Sequence, residues 1–229
     1  MQNIALLPAR GGSKRIPKKN IKNFLGKPII HYPIAMLQSA NIFHQIVVSS
    51  DDDEIIEIAK QAGAIAPFKR PDSISDDYAT TRDVISHAIE ALQLKIDDCL
   101  CCIYPTAVLI QKESVIQGRK MLNNGFKFAL SITEFDYSIW RGFRALKNGA
   151  LEMLYPQFLN TRSQDLDTIY HDAGGFYWGS VEAWKSNQPL FGDHSYGVLL
   201  PSSQTQDIDT PQDWELAELK YHLLHSTHK

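Results

Sequence analysis

The residues best suited to chemistry lie in one early stretch and one late one. Leu7-Pro8-Ala9-Arg10-Gly11-Gly12-Ser13-Lys14-Arg15-Ile16-Pro17-Lys18-Lys19-Asn20 surrounds a glycine pair with cations. Glycines let successive backbone N–H groups converge on an oxyanion. Arg10, Lys14, Arg15 and Lys19 can add charge-assisted hydrogen bonds of ~1.5–3 kcal/mol each. Such a loop matches the charge of a nucleoside triphosphate. It contains neither GxxxxGK[ST] nor GxGxxG, so a P-loop hydrolase is excluded. The late stretch is Gln206-Asp207-Ile208-Asp209-Thr210-Pro211. In an extended segment, residues two apart face one side, so Asp207 and Asp209 present paired carboxylates. That donor set suits Mg²⁺, which shares its shell with substrate phosphates. The competing reading makes Asp209 or Thr210 a cap for the helix that Pro211 opens.

Charge distribution sharpens the first signal. The chain has 229 residues and a net charge of −3, which argues against general nucleic-acid binding. Its first 50 residues nevertheless carry seven Lys/Arg, Arg10 to Lys27, and no Asp or Glu. A solvated face normally mixes signs, so an anionic small-molecule partner is expected. Cys99, Cys101 and Cys102 lie together in an apolar run and read as core residues. No apolar run approaches the ~20 residues of a membrane span, and the opening residues lack a basic lead. A reduced, cytoplasmic protein with no membrane partner is expected.

The elements that must position these residues follow from periodicity. Strands are expected at Ile4–Pro8, Ile46–Ser50, Ala64–Pro67, Cys99–Tyr104, Phe128–Thr133, Gly175–Trp178 and Tyr196–Leu200. Helices are expected at Pro28–Ala40, kinked or restarted at Pro33, and at Asp51–Gln61, Thr80–Leu94 and Glu113–Leu122. A last helix from Pro211 places Trp214, Leu216, Ala217, Leu219 and Leu223 on its apolar face. This alternation implies an α/β fold: a mostly parallel, doubly wound sheet with helices on both faces. A single domain over residues 1–229 is expected, with an excursion at about 136–172 serving as lid or oligomer contact.

Further candidates fall beyond the strands' carboxyl ends, where such sheets bind ligands. Arg70, Ala79, Thr80 and Thr81 can read a nucleobase, although Thr80 or Thr81 equally suits a helix cap. Arg162 can form a bidentate pair with a carboxylate. His222, His225 and His228 read as a helix tail rather than a metal tract.

At this point the sequence resembles a known family. The run from Leu7 to Asn20 is similar to the signature of the CMP-sialic acid synthetases, the cytidylyltransferases of nonulosonic acids. Gly26-Lys27-Pro28, Arg70-Pro71, Tyr104-Pro105-Thr106, Arg162, Phe176-Tyr177 and Asp207-Ile208-Asp209-Thr210 fall at matching places, so the resemblance spans nearly the whole chain. Thr161–Leu166, His171-Asp172-Ala173-Gly174 and Phe176-Tyr177-Trp178 look like the pseudaminic acid branch, and Tyr104 stands where sialic acid members carry Gln.

The resemblance implies a Rossmann-like sheet of nucleotide-diphospho-sugar transferase type and a homodimer built partly from the excursion. It also implies Mg²⁺-dependent transfer of CMP from CTP to a nonulosonic acid. Arg10, Lys14, Lys19 and Asp209 would be catalytic. Arg10, Gly11, Gly12, Ser13, Lys14, Lys19, Asn20, Arg70, Ala79, Thr80 and Thr81 would hold the nucleotide. Tyr104, Arg162, Asp172 and Tyr177 would line the sugar pocket, and Asp207 and Asp209 would hold the metal. The alternatives are the same reaction on N-acetylneuraminic, legionaminic or 3-deoxy-manno-octulosonic acid, or a nucleotide binder without turnover.

Overall fold

The structure is a computed structural model that describes residues 1–226. A six-stranded sheet runs in the order β10-β6-β9-β5-β1-β4. Its strands are β1 (Asn3–Pro8), β4 (Gln45–Ser49), β5 (Cys99–Ile103), β6 (Phe128–Glu134), β9 (Tyr170–Ser180) and β10 (Ser195–Leu199). β1 pairs in parallel with β4 and β5, and β6 with β10. β9 is inserted antiparallel between β5 and β6. The chain turns first to β4 and later to β5, so the order reverses at β1. The carboxyl ends of β1, β4 and β5 therefore surround a topological switch point.

Helices cover both faces. On one side α1 (His31–Ala40), α2 (Asp53–Gln61) and α4 (Lys112–Asn123) bury Ile34, Leu37, Ile55 and Val115 against Phe176 and Trp178. On the other, α3 (Thr81–Ala91) and α5 (Val181–Lys185) bury Ile85, Ala88 and Trp184 against Phe128 and Leu130. Asp52 caps α2, its carboxylate accepting the Glu54 N–H at 2.8 Å. A third, smaller core joins Ile16, Phe24, Ile29, Leu109 and Ile208 to Trp214 and Ala217 of α6 (Pro211–Ser226). It ties the underside of the basic loop to the acidic segment.

Several expectations are corrected. Pro28 does not open α1; it closes a two-residue hairpin, β2 (Asn23–Phe24) with β3 (Lys27–Pro28). Pro33 is the third residue of α1, where a missing N–H costs nothing, so the helix neither kinks nor restarts there. Ala64–Pro67 contributes only a bridge between Val47 and Ile65. The strand expected at Gly175–Trp178 begins at Tyr170 and carries an irregularity opposite Leu130 and Ile132. There the buried Ser131 hydroxyl accepts the Gly175 and Phe176 N–H groups, at 3.0 and 3.1 Å. A Cβ on Gly175 would come within 2.7 Å of the Ile110 Cδ1 and 3.0 Å of the Ser131 hydroxyl, so any side chain there would make Ile110 shift. The apolar face of α6 is also reassigned. Trp214 and Ala217 are buried, whereas Leu216, Leu219 and Leu223 are exposed.

Residues 135–169 leave the sheet, so the excursion expected at about 136–172 ends earlier, where β9 begins at Tyr170. They form the hairpin of β7 (Phe143–Ala145) and β8 (Leu151–Met153) and expose Phe143, Leu151 and Leu159. Among the described residues, no helix is long and apolar enough to cross a membrane. The three cysteines are buried, and burial holds the Cys102 thiol up at about 12.

Candidate active site

The switch point opens into a cavity of about 330 Å³ lined by both chemically promising stretches. Arg10, Ser13, Lys14, Lys19 and Asn20 form one wall, and Arg70, Ala79, Thr80 and Thr81 another. Tyr104 and Asp207 close it. The two stretches touch directly. The Lys19 ammonium donates to the Ile208 carbonyl at 2.6 Å and to Asp209 at 3.3 Å. Arg15 meets the other Asp209 oxygen at 2.7 Å. Ile208 is fully buried, which turns its neighbours Asp207 and Asp209 outward, as the two-residue period requires. Burial, and then the charge of Asp209, raise the Asp207 pKa.

The acid-free segment is mixed in three dimensions. Lys14 and Arg10 both bond Asp77, the Arg10 contact at 2.7 Å. Lys18 pairs with Glu54, and Lys22 sits 4.6 Å over the Trp214 ring. The hydrogen bonds from Lys14 and then Arg10 hold the Asp77 carboxyl below the usual range. The residues supplying these counter-charges lie beyond position 50, at the ends of other elements, so no local pattern announced them. Asp51 is another such residue. It accepts the Gly11 N–H at 3.0 Å and faces Arg70 at 3.4 Å. The adjacent acids at 51–53 and 76–77 were the available signal.

The glycine expectation needs correction. Neither Gly11 nor Gly12 lines the cavity or adopts a left-handed backbone, and the Gly11 N–H is taken by Asp51. Gly11 is required for space, because a Cβ there would lie 2.7 Å from the Asp52 carboxylate. Asn20 is buried and donates to the Arg10 carbonyl at 2.9 Å, so it holds the loop's shape. Thr80 is both a cavity residue and the N-cap of α3, in a capping box with Asp83. Thr210 likewise accepts the Asp213 N–H at the start of α6.

Beyond Tyr104 lie two further cavities, of about 510 and 470 Å³, both lined by Tyr104, Asp172 and Tyr177. The smaller also reaches Asp207. The Tyr177 hydroxyl donates to Asp172 at 2.7 Å, and the Tyr104 and Thr81 hydroxyls lie 2.9 Å apart. Burial raises the pKa of both tyrosines, which stay neutral hydrogen-bonding groups. Arg162 is not brought here. It lines none of these cavities and is held bidentately by Asp165, at 2.7 and 3.1 Å. His225 stacks on Tyr221, and His228 lies outside the described residues. Among the described residues, no three His, Cys, Asp or Glu are grouped to hold a metal. The carboxylate pair would therefore share an ion with substrate oxygens rather than cage it.

Residues 4–141 match the family model described as cytidylyltransferase. The chain belongs to the cytidylyltransferase family. It is 46% identical over 230 residues to the pseudaminic acid cytidylyltransferase of Campylobacter jejuni serotype O:2, with 99% of each chain covered. It is 29% identical to the CMP-N,N′-diacetyllegionaminic acid synthase of Legionella pneumophila over 95% of each chain. A solved CMP:2-keto-3-deoxy-manno-octonic acid synthetase, complexed with CTP, matches the fold with a TM-score of 0.70. That match covers 99% of this chain and 100% of that one at 13% identity. This cytidylyltransferase is thus a nucleotidyltransferase enzyme whose cavity sits where the fold binds ligands.

Proposed function

We propose that this cytidylyltransferase moves CMP from CTP to the anomeric hydroxyl of a nonulosonic acid, pseudaminic acid first, and releases pyrophosphate. The observation carrying this reading is the Lys19 ammonium, which joins the basic loop to the acidic segment across 190 positions at the mouth of one cavity. The 46% identical relative supports the choice of sugar. The sugar's anomeric oxygen bonds to the α-phosphorus as the bond from that phosphorus to its bridging oxygen breaks. Pyrophosphate keeps the electron pair, and the hydroxyl proton leaves to solvent. Arg10, Lys14 and Lys19 hold the triphosphate and stabilise the departing charge. Arg70, Ala79, Thr80 and Thr81 enclose the cytidine. Tyr104, Asp172 and Tyr177 orient the sugar.

Asp207 and Asp209 would hold Mg²⁺. The fit rests on their chemistry: two hard carboxylates stand close enough for one to raise the other's pKa, and a cation removes that repulsion. When bound, the ion supplies charge neutralisation at the phosphates. The exposed Phe143, Leu151 and Leu159 give the excursion a surface for a homodimer in which it helps close the sugar pocket.

Asp77 occupies the cations that would receive phosphate. Asp77→Asn is expected to lower the CTP concentration for half-maximal rate about 2- to 5-fold, the scale of exposed ion pairs. A higher requirement would instead put Asp77 to work on the nucleotide. The function itself is tested by pyrophosphate release from CTP with a panel of nonulosonic acids. Pseudaminic acid is expected to give the highest kcat/KM. Preference for another sugar would reassign the substrate, and no release with any of them would end the transferase reading.

A further inference from the structure

We propose that Lys220 is a positioning residue that sets the Asp207–Asp209 pair through a relay of Gln206 and Asp213. The inference rests on the metal role assigned to that pair. Lys220 lies on α6 and lines the cavity shared by Asp172, Tyr177 and Asp207, where a cation would ordinarily be taken for a ligand of the sugar's carboxylate. Its hydrogen bonds argue otherwise. The ammonium donates to the Ser202 carbonyl at 3.0 Å, the Thr205 carbonyl at 2.7 Å and the Gln206 side-chain oxygen at 3.1 Å. An ammonium has three N–H donors, so none remains for substrate.

The relay continues through Gln206. Its amide N–H₂ donates to the Asp207 carbonyl at 3.0 Å and to one Asp213 oxygen at 3.4 Å. The other Asp213 oxygen accepts from the Asp209 N–H at 3.1 Å, the Thr210 N–H at 2.7 Å and the Thr210 hydroxyl at 2.8 Å. The backbones of both metal-pair residues are thus held from one helix. The buried Ile208 sets their depth, and the relay fixes the backbone on either side. Lys220 has no carboxylate within ion-pair distance among the described residues. Burial works against its charge, Asp136 favours it from beyond ion-pair distance, and the three acceptors keep the buried donors paired. A half-buried cation spent wholly on loop carbonyls and one amide is a device for shape. A preorganised pair binds an ion without first ordering the segment that carries it.

The test is Mn²⁺ binding to the full chain with CTP and no sugar, read by electron paramagnetic resonance, alongside Mg²⁺-dependent kinetics. Lys220→Met is expected to weaken Mn²⁺ about tenfold and to raise the Mg²⁺ requirement by a similar factor. The kcat at saturating Mg²⁺ and the KM for sugar should stay within about threefold of wild type. Gln206→Leu, which leaves the ammonium two acceptors, should weaken Mn²⁺ about threefold and decides the matter if Lys220→Met fails to fold. Unchanged Mn²⁺ affinity in a folded Lys220→Met or in Gln206→Leu overturns the inference. So does a raised sugar KM with unchanged Mn²⁺ affinity, which would make Lys220 a substrate ligand. Asp207→Asn separates the layers. If it weakens Mn²⁺ while Lys220→Met does not, only the positioning role falls; if it too binds Mn²⁺ normally, the metal reading falls and takes the inference with it.

Discussion

Asp207→Asn is expected to lower turnover at least about 100-fold, the scale of a lost preorganised electrostatic contact, while leaving the metal-free fold as stable as the wild type or more so. Both halves come from one environment. Asp207 faces outward beside Asp209, and its pKa is raised by desolvation first and by that neighbour second. A carboxyl with a raised folded-state pKa favours folding while protonated, and this contribution is lost as pH rises through that pKa. At neutral pH the wild type therefore carries the cost of an ionised, crowded carboxylate, and asparagine does not. Thermal melts without metal should place Asp207→Asn level with or above the wild type at pH 7. The difference should vanish below the ordinary carboxylate range. Adding Mg²⁺ and CTP should reverse the order, because ligand binding stabilises only the form that binds. A variant that turns over normally, or melts far below the wild type without metal, contradicts the account.

Lys19→Met is expected to reduce kcat/KM for CTP about 100-fold, since one ammonium serves both walls and each charge-assisted bond is worth ~1.5–3 kcal/mol. It is mostly enclosed, 21% exposed, so solvent cannot replace it. Arg15 pairs with the same Asp209 but is 69% exposed, and exposed pairs contribute little. Arg15→Met should change kcat/KM less than about threefold. Steady-state kinetics on the two variants side by side check the point. Equal losses would mean that net loop charge matters and the Lys19 position does not.

How much of this was legible in the sequence depends on the range of the interaction. Helix α3 announced itself through Val84, Ile85, Ala88, Ala91 and Leu92 at helical spacing; the first three are buried, whereas Ala91 is exposed and Ile89 takes its place in the core. The six strands of the main sheet were equally clear, whereas Ala64–Pro67 is only a bridge and the two- and three-residue strands β2, β3, β7 and β8 are too short to show a period. The antiparallel insertion of β9 was not, because alternation fixes a strand's faces and says nothing about its neighbours. Helix α6 shows the limit of periodicity. Trp214, Ala217, Tyr221 and Leu224 form one helical stripe, and Leu216, Leu219 and Leu223 form another. Either could face the core, and the first does, meeting Phe24 and Ile208. In the site, the composition of both walls was readable from motifs and their order. The acids that neutralise the basic loop were not, since Asp77 and Asp209 reach it from the distant loops that lead into α3 and α6. Gly11 was noticed for a flexibility it does not use; its role is clearance for Asp52, a long-range steric fact.

The central claim is that the triphosphate lies between the loop at 10–19 and the Asp207–Asp209 pair. Competitive acetylation of lysines, read by mass spectrometry, tests it directly. Lys14 lines the cavity, while Lys18, four residues on, faces Glu54 and does not. Saturating CTP with Mg²⁺ should shield Lys14 and leave Lys18 unchanged, and the shielding should weaken in Asp207→Asn. Equal labelling of Lys14 with and without nucleotide would contradict the account.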